Sequence, residues 1–299
     1  MGARVLTGSI LIAALLGLAW LDDAIGACGC FPPGIVLAVL ALLGPRIGRY
    51  RPDGTPRVFP MQNPWLVIIG LFLIYTGFWG FYAACNVPIF DVNLSDSGTF
   101  FSATNIYLTP TTLSAITVNF LMSLSGGLFA GYFISKGDPY WTFSGGLAGI
   151  ITASAGNDLY HPLQALLIGA FGVMCIYKLH HWVERRFKID DAVGAVAVHG
   201  YAGFIGVVIP GFVLWGYPSS GNPAYASITP WGQLMGAIIM FFVLGFLPCY
   251  LVGWALKKFD LLRIPRVIEL AGLDHRVMAQ VEADTEELNQ AELAFVRGG

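Results

Sequence analysis

The sequence predicts an all-α polytopic membrane protein with about eight transmembrane helices. Three observations predict it. Of the 299 residues, 56% are hydrophobic and only 11% are charged, against about 25% charged in soluble domains. Mean hydropathy is +0.68. The charges gather between long uncharged stretches, as membrane spans alternating with loops require.

The apolar stretches run near 5–20, 25–44, 63–85, 110–133, 141–156, 159–178, 192–216 and 230–256. A bilayer core needs about 20 mostly apolar residues per helix, so each stretch reads as one span. The first has a second reading as a signal peptide with Arg4 as its charged end, but Trp20-Leu21-Asp22-Asp23 is a poor small-residue cleavage site. The spans make a transmembrane domain over 1–258, followed by a tail over 259–299.

With the N-terminus in the cytoplasm, alternation puts all 16 Lys and Arg residues in internal segments. They include Arg46, Arg49, Lys136, Lys188, Lys257 and Arg263. The external loops carry Asp22, Asp23, Asp91, Asp96 and Asp158 instead. The positive-inside rule then sets the C-terminus in the cytoplasm. The acidic outer loops would modestly concentrate cations at the mouths, or are ordinary solvated acids. A net charge of −2 gives no sign of nucleic-acid binding. Five cysteines make no disulfide framework; Cys175 and Cys249, inside apolar runs, read as packing residues.

An ionisable residue well inside a span is a functional candidate by default. His199, in Val196-Ala197-Val198-His199-Gly200-Tyr201, stands out; the plain alternative is a neutral imidazole bonded to a neighbouring helix. Asp190 and Asp191 open the same helix, where acids cap free N–H groups and favour the helix dipole. Phe81, in Gly77-Phe78-Trp79-Gly80-Phe81, is core filler or a pore constriction. Cys28-x-Cys30 has no nearby His or further Cys and is a weak metal signal. His180-His181 beside Arg185-Arg186 reads as a solvated loop, and His161 as water-facing. No nucleophile–base pair or metal cluster points to an enzyme, and no cofactor is implied. Paired small residues such as Gly126-Gly127 and Gly145-Gly146 predict close helix packing.

Taken together, these segments resemble the Amt/Mep/Rh ammonium-transporter family. Asp190-Asp191 followed by His199-Gly200 and Gly203 is similar to that family's D-D…H-G-x-x-G helix, whose His is one of two pore histidines. Gly145-Gly146-Leu147-Ala148-Gly149, then Ala155-Gly156 and Pro162, resembles its N-G-x-L-A-G…A-G…P segment. Lys136 stands where the family has a Lys entering that helix, and Asn119 matches an Asn in the preceding one. Phe78-Trp79-Gly80-Phe81 is similar to the family's W-F-G-F run, whose last Phe faces the pore. Pro265, Glu269 and Gly272-Leu273-Asp274 keep the spacing of its tail. The resemblance covers essentially residues 20–275.

The resemblance implies ammonium or ammonia as substrate, an apolar pore within membrane lipid, a homotrimer with one pore per subunit, and a PII-type regulator on the cytoplasmic face. Lys136, Asn119, Asp190, Asp191, Gly272 and Asp274 become structural or gating residues. Cys85 takes a position near the outer mouth where the family often has a small hydroxyl residue. Two departures stand beside it. The family has eleven spans, as two inverted five-helix repeats plus a final helix; the present chain matches the last two spans of the first repeat, the second repeat and the final helix. That leaves open a fragment, a truncated gene model and a reduced relative. The other pore histidine is replaced by Gly29, or by Cys30 with a one-residue slip. Loss of that His, and an acidic tail from Glu282 to Glu292, also fit a non-conducting sensor or regulatory protein; Gly29 and Cys85 fit a transporter of another small solute.

Overall fold

A computed structural model describes residues 33–59, 61, 63–86, 112–217 and 227–271. Helix α1 runs Pro33–Leu43, α2 Pro64–Asn86, α3 Leu113–Ser135 and α4 Pro139–Ala153, which ends in a tight turn over Ser154–Gly156. Then come α5 (Pro162–Phe187), α6 (Val196–Val213), α7 (Pro230–Lys258) and the short α8 (Arg266–Ala271). The first part of α6, Val196–Tyr201, and the middle of α7, Ile239–Phe246, are wound as π-helix. Among the described residues there is no strand beyond an isolated bridge between Tyr50 and Pro56.

Local chemistry sets the helix starts. Pro139, Pro162 and Pro230 each occupy a first helical position, where a missing N–H costs nothing. The preceding Asp138, His161 and Thr229 accept hydrogen bonds from Trp141, Leu163 and Gly232 amides. Thr112 does the same for α3, and Asn63 Oδ1 accepts from the Trp65 and Leu66 amides of α2. Lys136 ends α3 in a left-handed conformation with φ 60°. It is an exposed C-cap between α3 and α4.

Helices stand at the apolar stretches predicted from 63 onward and over Pro33–Leu43 of the 25–44 stretch; 5–20 and 25–32 lie outside the described residues. Five helices are long and apolar enough to cross a bilayer: Pro64–Ala83, Leu113–Ser135, Pro162–Phe187, Val196–Val213 and Pro230–Lys258. Three are shorter, α1 with 11 residues, α4 with 15 and α8 with 6. One expectation needs correcting. The solvated loop expected at His180-His181 is helix, because α5 continues unbroken to Phe187. His180 is buried there.

The core lies where α3, α4 and α5 meet, with α2 and α6 laid across them. Ile116, Ile150, Val173, Ile176 and Val196 are fully enclosed. Cys249 is buried with Ile35 and Ala38, the packing role expected of it. Large apolar side chains cover the outside instead: Trp65, Phe72 and Leu73 on α2, Leu121, Phe129 and Phe133 on α3, Leu167 and Phe171 on α5. Such a surface is unfavourable in water and suits lipid.

Lipid gives helices no hydrophobic reason to associate, so contact depends on close backbone approach. Gly127 provides it: a Cβ there would fall 2.3 Å from the Gly145 carbonyl oxygen. Gly70, on the outer side of α2, has nothing within 4 Å. Gly127→Ala should therefore cost about 1–3 kcal/mol, the usual scale of overpacking, whereas Gly70→Ala should be neutral. Thermal melting in detergent checks the contrast; equal melting temperatures would mean that α3 and α4 are not in contact.

Candidate functional site

His199 is carried on the π-wound opening of α6. A π segment widens the turn and re-aims side chains, and such segments recur at functional sites. The imidazole is partly enclosed. Its ring lies 6.5 Å, centroid to centroid, from Phe78 of α2, tilted by 30°. No hydrogen bond joins it to another described residue. From Phe78 the aromatic surface continues to Phe81 at 6.2 Å and Tyr82 at 6.4 Å, and from Tyr82 to Phe120 of α3 at 5.6 Å. Tyr82 is fixed by its hydroxyl, which donates to the Ile150 carbonyl at 2.9 Å.

Among the described rings, then, Phe78 meets the imidazole, and Phe81 stands one ring away. The sequence singled out Phe81 alone. Spacing by three on a helix puts both on one face, and that signal was available. Helix α1 packs against the His199 segment and the π segment of α7. Gly34 permits the second contact, since a Cβ there would meet the Phe241 carbonyl oxygen at 2.0 Å. Gly29, Cys28 and Cys30 precede α1 and lie outside the described residues, as do the Cys85 side chain, Gly272, Asp274 and the 282–292 tail.

Asn119 is buried. Its amide donates to the carbonyls of Asn157 and Tyr160, both at 2.7 Å, and the Asn157 amide donates back to Ile116 O at 3.2 Å. These bonds satisfy the irregular backbone between α4 and α5, which hydrocarbon would not solvate.

At the opposite end, Asp190 and Asp191 divide the work expected of them jointly. Asp191 does act on the opening of α6, accepting from the Ala197 amide at 3.0 Å. Asp190 does not cap it. Its carboxylate, 2% exposed, accepts from Arg46 Nε at 2.6 Å, Arg46 Nη2 at 2.9 Å and the Arg46 amide at 3.1 Å. Arg49 Nε lies 3.3 Å away, and the Arg49 guanidinium also pairs with Glu184 of α5. The α1–α2 loop is thereby tied to both α5 and α6. Sequence spacing could not show this pairing, since the partners are 144 residues apart.

The last turn of α7 and the segment after it close the end of α1. Lys257 Nζ donates to Leu42 O at 2.8 Å, and Arg263 donates to Leu43 O at 3.0 Å and Pro45 O at 2.9 Å. These carbonyls are left without partners where a helix ends. Glu269 holds Arg263 in place at 2.8 Å and accepts from the Ile47 amide at 2.8 Å. The Arg263 hydrogen bonds hold the Glu269 carboxyl below its ordinary value.

A sequence model of the Ammonium Transporter Family matches residues 31–282. The chain belongs to the ammonium transporter family. It is 29% identical over 280 residues to ammonium transporter Amt2 of Archaeoglobus fulgidus, covering 89% of this chain and 56% of that protein. It is 29% identical over 282 residues to Amt1 of Methanocaldococcus jannaschii, covering 92% and 64%. The chain thus spans little more than half to under two thirds of these relatives' length. Its fold matches a solved structure titled Sensor Amt Protein with a TM-score of 0.65 at 23% identity, over 82% of this chain and 57% of that one. Rh50 of Nitrosomonas europaea matches with a TM-score of 0.52 at 16% identity, over 93% and 69%. Membership in the ammonium transporter family and five bilayer-length helices make this an integral, multi-pass membrane protein.

Burial raises the Asp190 carboxyl, but the Arg46 hydrogen bonds and charge outweigh it, so its value lies below the ordinary 3.8. A depressed carboxyl contributes its stability above 3.8 and loses it as acidification approaches the lower folded value. Asp190→Ala should cost about 1–3 kcal/mol at neutral pH, because Arg46 loses its carboxylate partner, while the solvent around Arg46 and the Glu184 partner of Arg49 temper the loss. The wild-type advantage should shrink when melting is repeated below pH 3.8.

Proposed function

We propose that this chain carries ammonium or ammonia through the membrane, with His199 as the imidazole that the substrate meets. The observation that carries the reading is the His199 ring itself. It sits against Phe78 within the bundle and is bonded to no other described residue. Bare ammonium cannot enter hydrocarbon without losing hydration worth many kcal/mol. A neutral imidazole offers a hydrogen-bonding site along the way. The aromatic run Phe78, Phe81 and Tyr82 gives it an apolar flank. Family kinship supports this reading over a sensor or a carrier of another solute.

On this reading Gly29 takes the sequence position of the family's second pore histidine, and Cys85 that of its small hydroxyl residue. The residues 1–258 form the translocating unit, with the basic end of the bundle, including Arg46, Arg49, Lys257 and Arg263, facing the cytoplasm. The segment beyond Lys258, with Gly272 and Asp274, then offers a surface to a PII-type regulator. The same kinship supports a homotrimer.

Labelled methylammonium uptake into a transporter-deficient cell tests the proposal. The chain should raise uptake above an empty vector, and His199→Ala should reduce it by about tenfold or more, as loss of an intramembrane polar site would. Gly29→His should increase it by restoring the second site. Uptake no greater than the vector, with the protein present in the membrane, rules conduction out.

A further inference from the structure

We propose that His180, His181 and Glu184 form a binding site for a divalent transition-metal ion of the zinc class. The three residues lie on the last turns of α5, and the transport reading makes no use of them. Their spacing, i, i+1 and i+4, brings one ligand atom from each to within 4.8 Å of the others. Metal-bound nitrogen and oxygen lie about 2.0–2.2 Å from zinc, so modest side-chain rotations close the set. Two imidazoles with one carboxylate suit zinc, nickel or copper(II); they suit neither the oxygen-seeking calcium and magnesium nor the thiolate-seeking soft ions.

The surroundings are those of a held site. His180 is 9% exposed and Glu184 5%. Trp141 meets the His180 ring edge to face at 5.0 Å, and Tyr177 meets the His181 ring at 4.6 Å, which limits how either imidazole can turn. The Asp191 carboxylate lies 3.7 Å from His180 Nδ1, where it can orient the ring, as outer carboxylates do for metal-bound histidines. Glu184 engages Arg49 through Oε1, while its Oε2 stands 3.9 Å from His181 Nδ1. The bond to arginine therefore leaves the second oxygen for an ion. The His181 side chain is 36% exposed, which supplies a route in and room for a water to complete a four-coordinate shell.

Occupancy would reach the rest of the molecule through two shared groups. Glu184 also holds Arg49 of the α1–α2 loop, and Asp191 also holds the first turn of the His199 helix. The site is thus linked to the elements that carry transport, but its existence does not rest on transport.

The test uses the full-length, untagged, metal-stripped protein in detergent, titrated with Zn²⁺ alone by calorimetry. We expect one saturating ion per chain. His181→Gln, a change at a half-exposed position, should weaken binding by about tenfold or more. His161→Gln, at an exposed histidine elsewhere, should leave it unchanged. Melting temperatures report whether each variant is folded. Should His181→Gln fail to fold, Co²⁺ added to the wild type decides, by the visible absorption of a four-coordinate nitrogen–oxygen site. Absence of saturable binding, equal affinity in folded His181→Gln, or absence of that absorption overturns the proposal.

Discussion

In hydrocarbon a backbone N–H or C=O without a partner costs several kcal/mol, and at several of the described helix ends this chain meets that cost from its own side chains. The Asn119 amide fills the gap between α4 and α5. Lys257 and Arg263 fill the end of α1, and Asp191 fills the opening of α6. Each of these groups comes from a different helix or loop than the backbone it serves, or from several residues away. The same bonds that make the ends tolerable also set the relative positions of the helices.

Once the ends are held, the middle can depart from regular geometry. The two π segments face one helix, α1, from two sides. One carries His199, and the other receives Gly34 at a distance only glycine allows. An unpartnered imidazole would be costly in a tightly packed interior. Here its ring neighbour is Phe78 of α2, tilted beside it, which fills space without offering a competing hydrogen bond. That combination, a polar ring kept available by apolar neighbours, is what a passage for a small hydrogen-bonding solute requires.

Much of this was legible in the sequence, for definite reasons. The helices from 63 onward were visible because apolar length is a one-dimensional property, and the proline and cap residues that start them are local. His199 stood out as an ionisable group in an apolar run, and Asn119 through the family resemblance alone. What was hidden is pairing across long separations. Asp190 reads as a helix cap in sequence because its neighbours are all that can be seen; in the fold it meets Arg46 across 144 residues. His180 and His181 read as loop residues because Arg185, Arg186 and Lys188 follow them, yet the helix extends beneath the charges to Phe187. Phe78 was overlooked in favour of Phe81 because the sequence shows that both share a face but not which one α6 approaches.

The central claim is that this chain, by itself, surrounds an imidazole with a passage for ammonium. Proteoliposomes holding only the purified chain test it most directly, by the initial rate at which they accumulate labelled methylammonium down a gradient. The account predicts a rate above protein-free vesicles that falls to the protein-free level with His199→Ala while the melting temperature is retained. Equal rates for wild type and His199→Ala would contradict it.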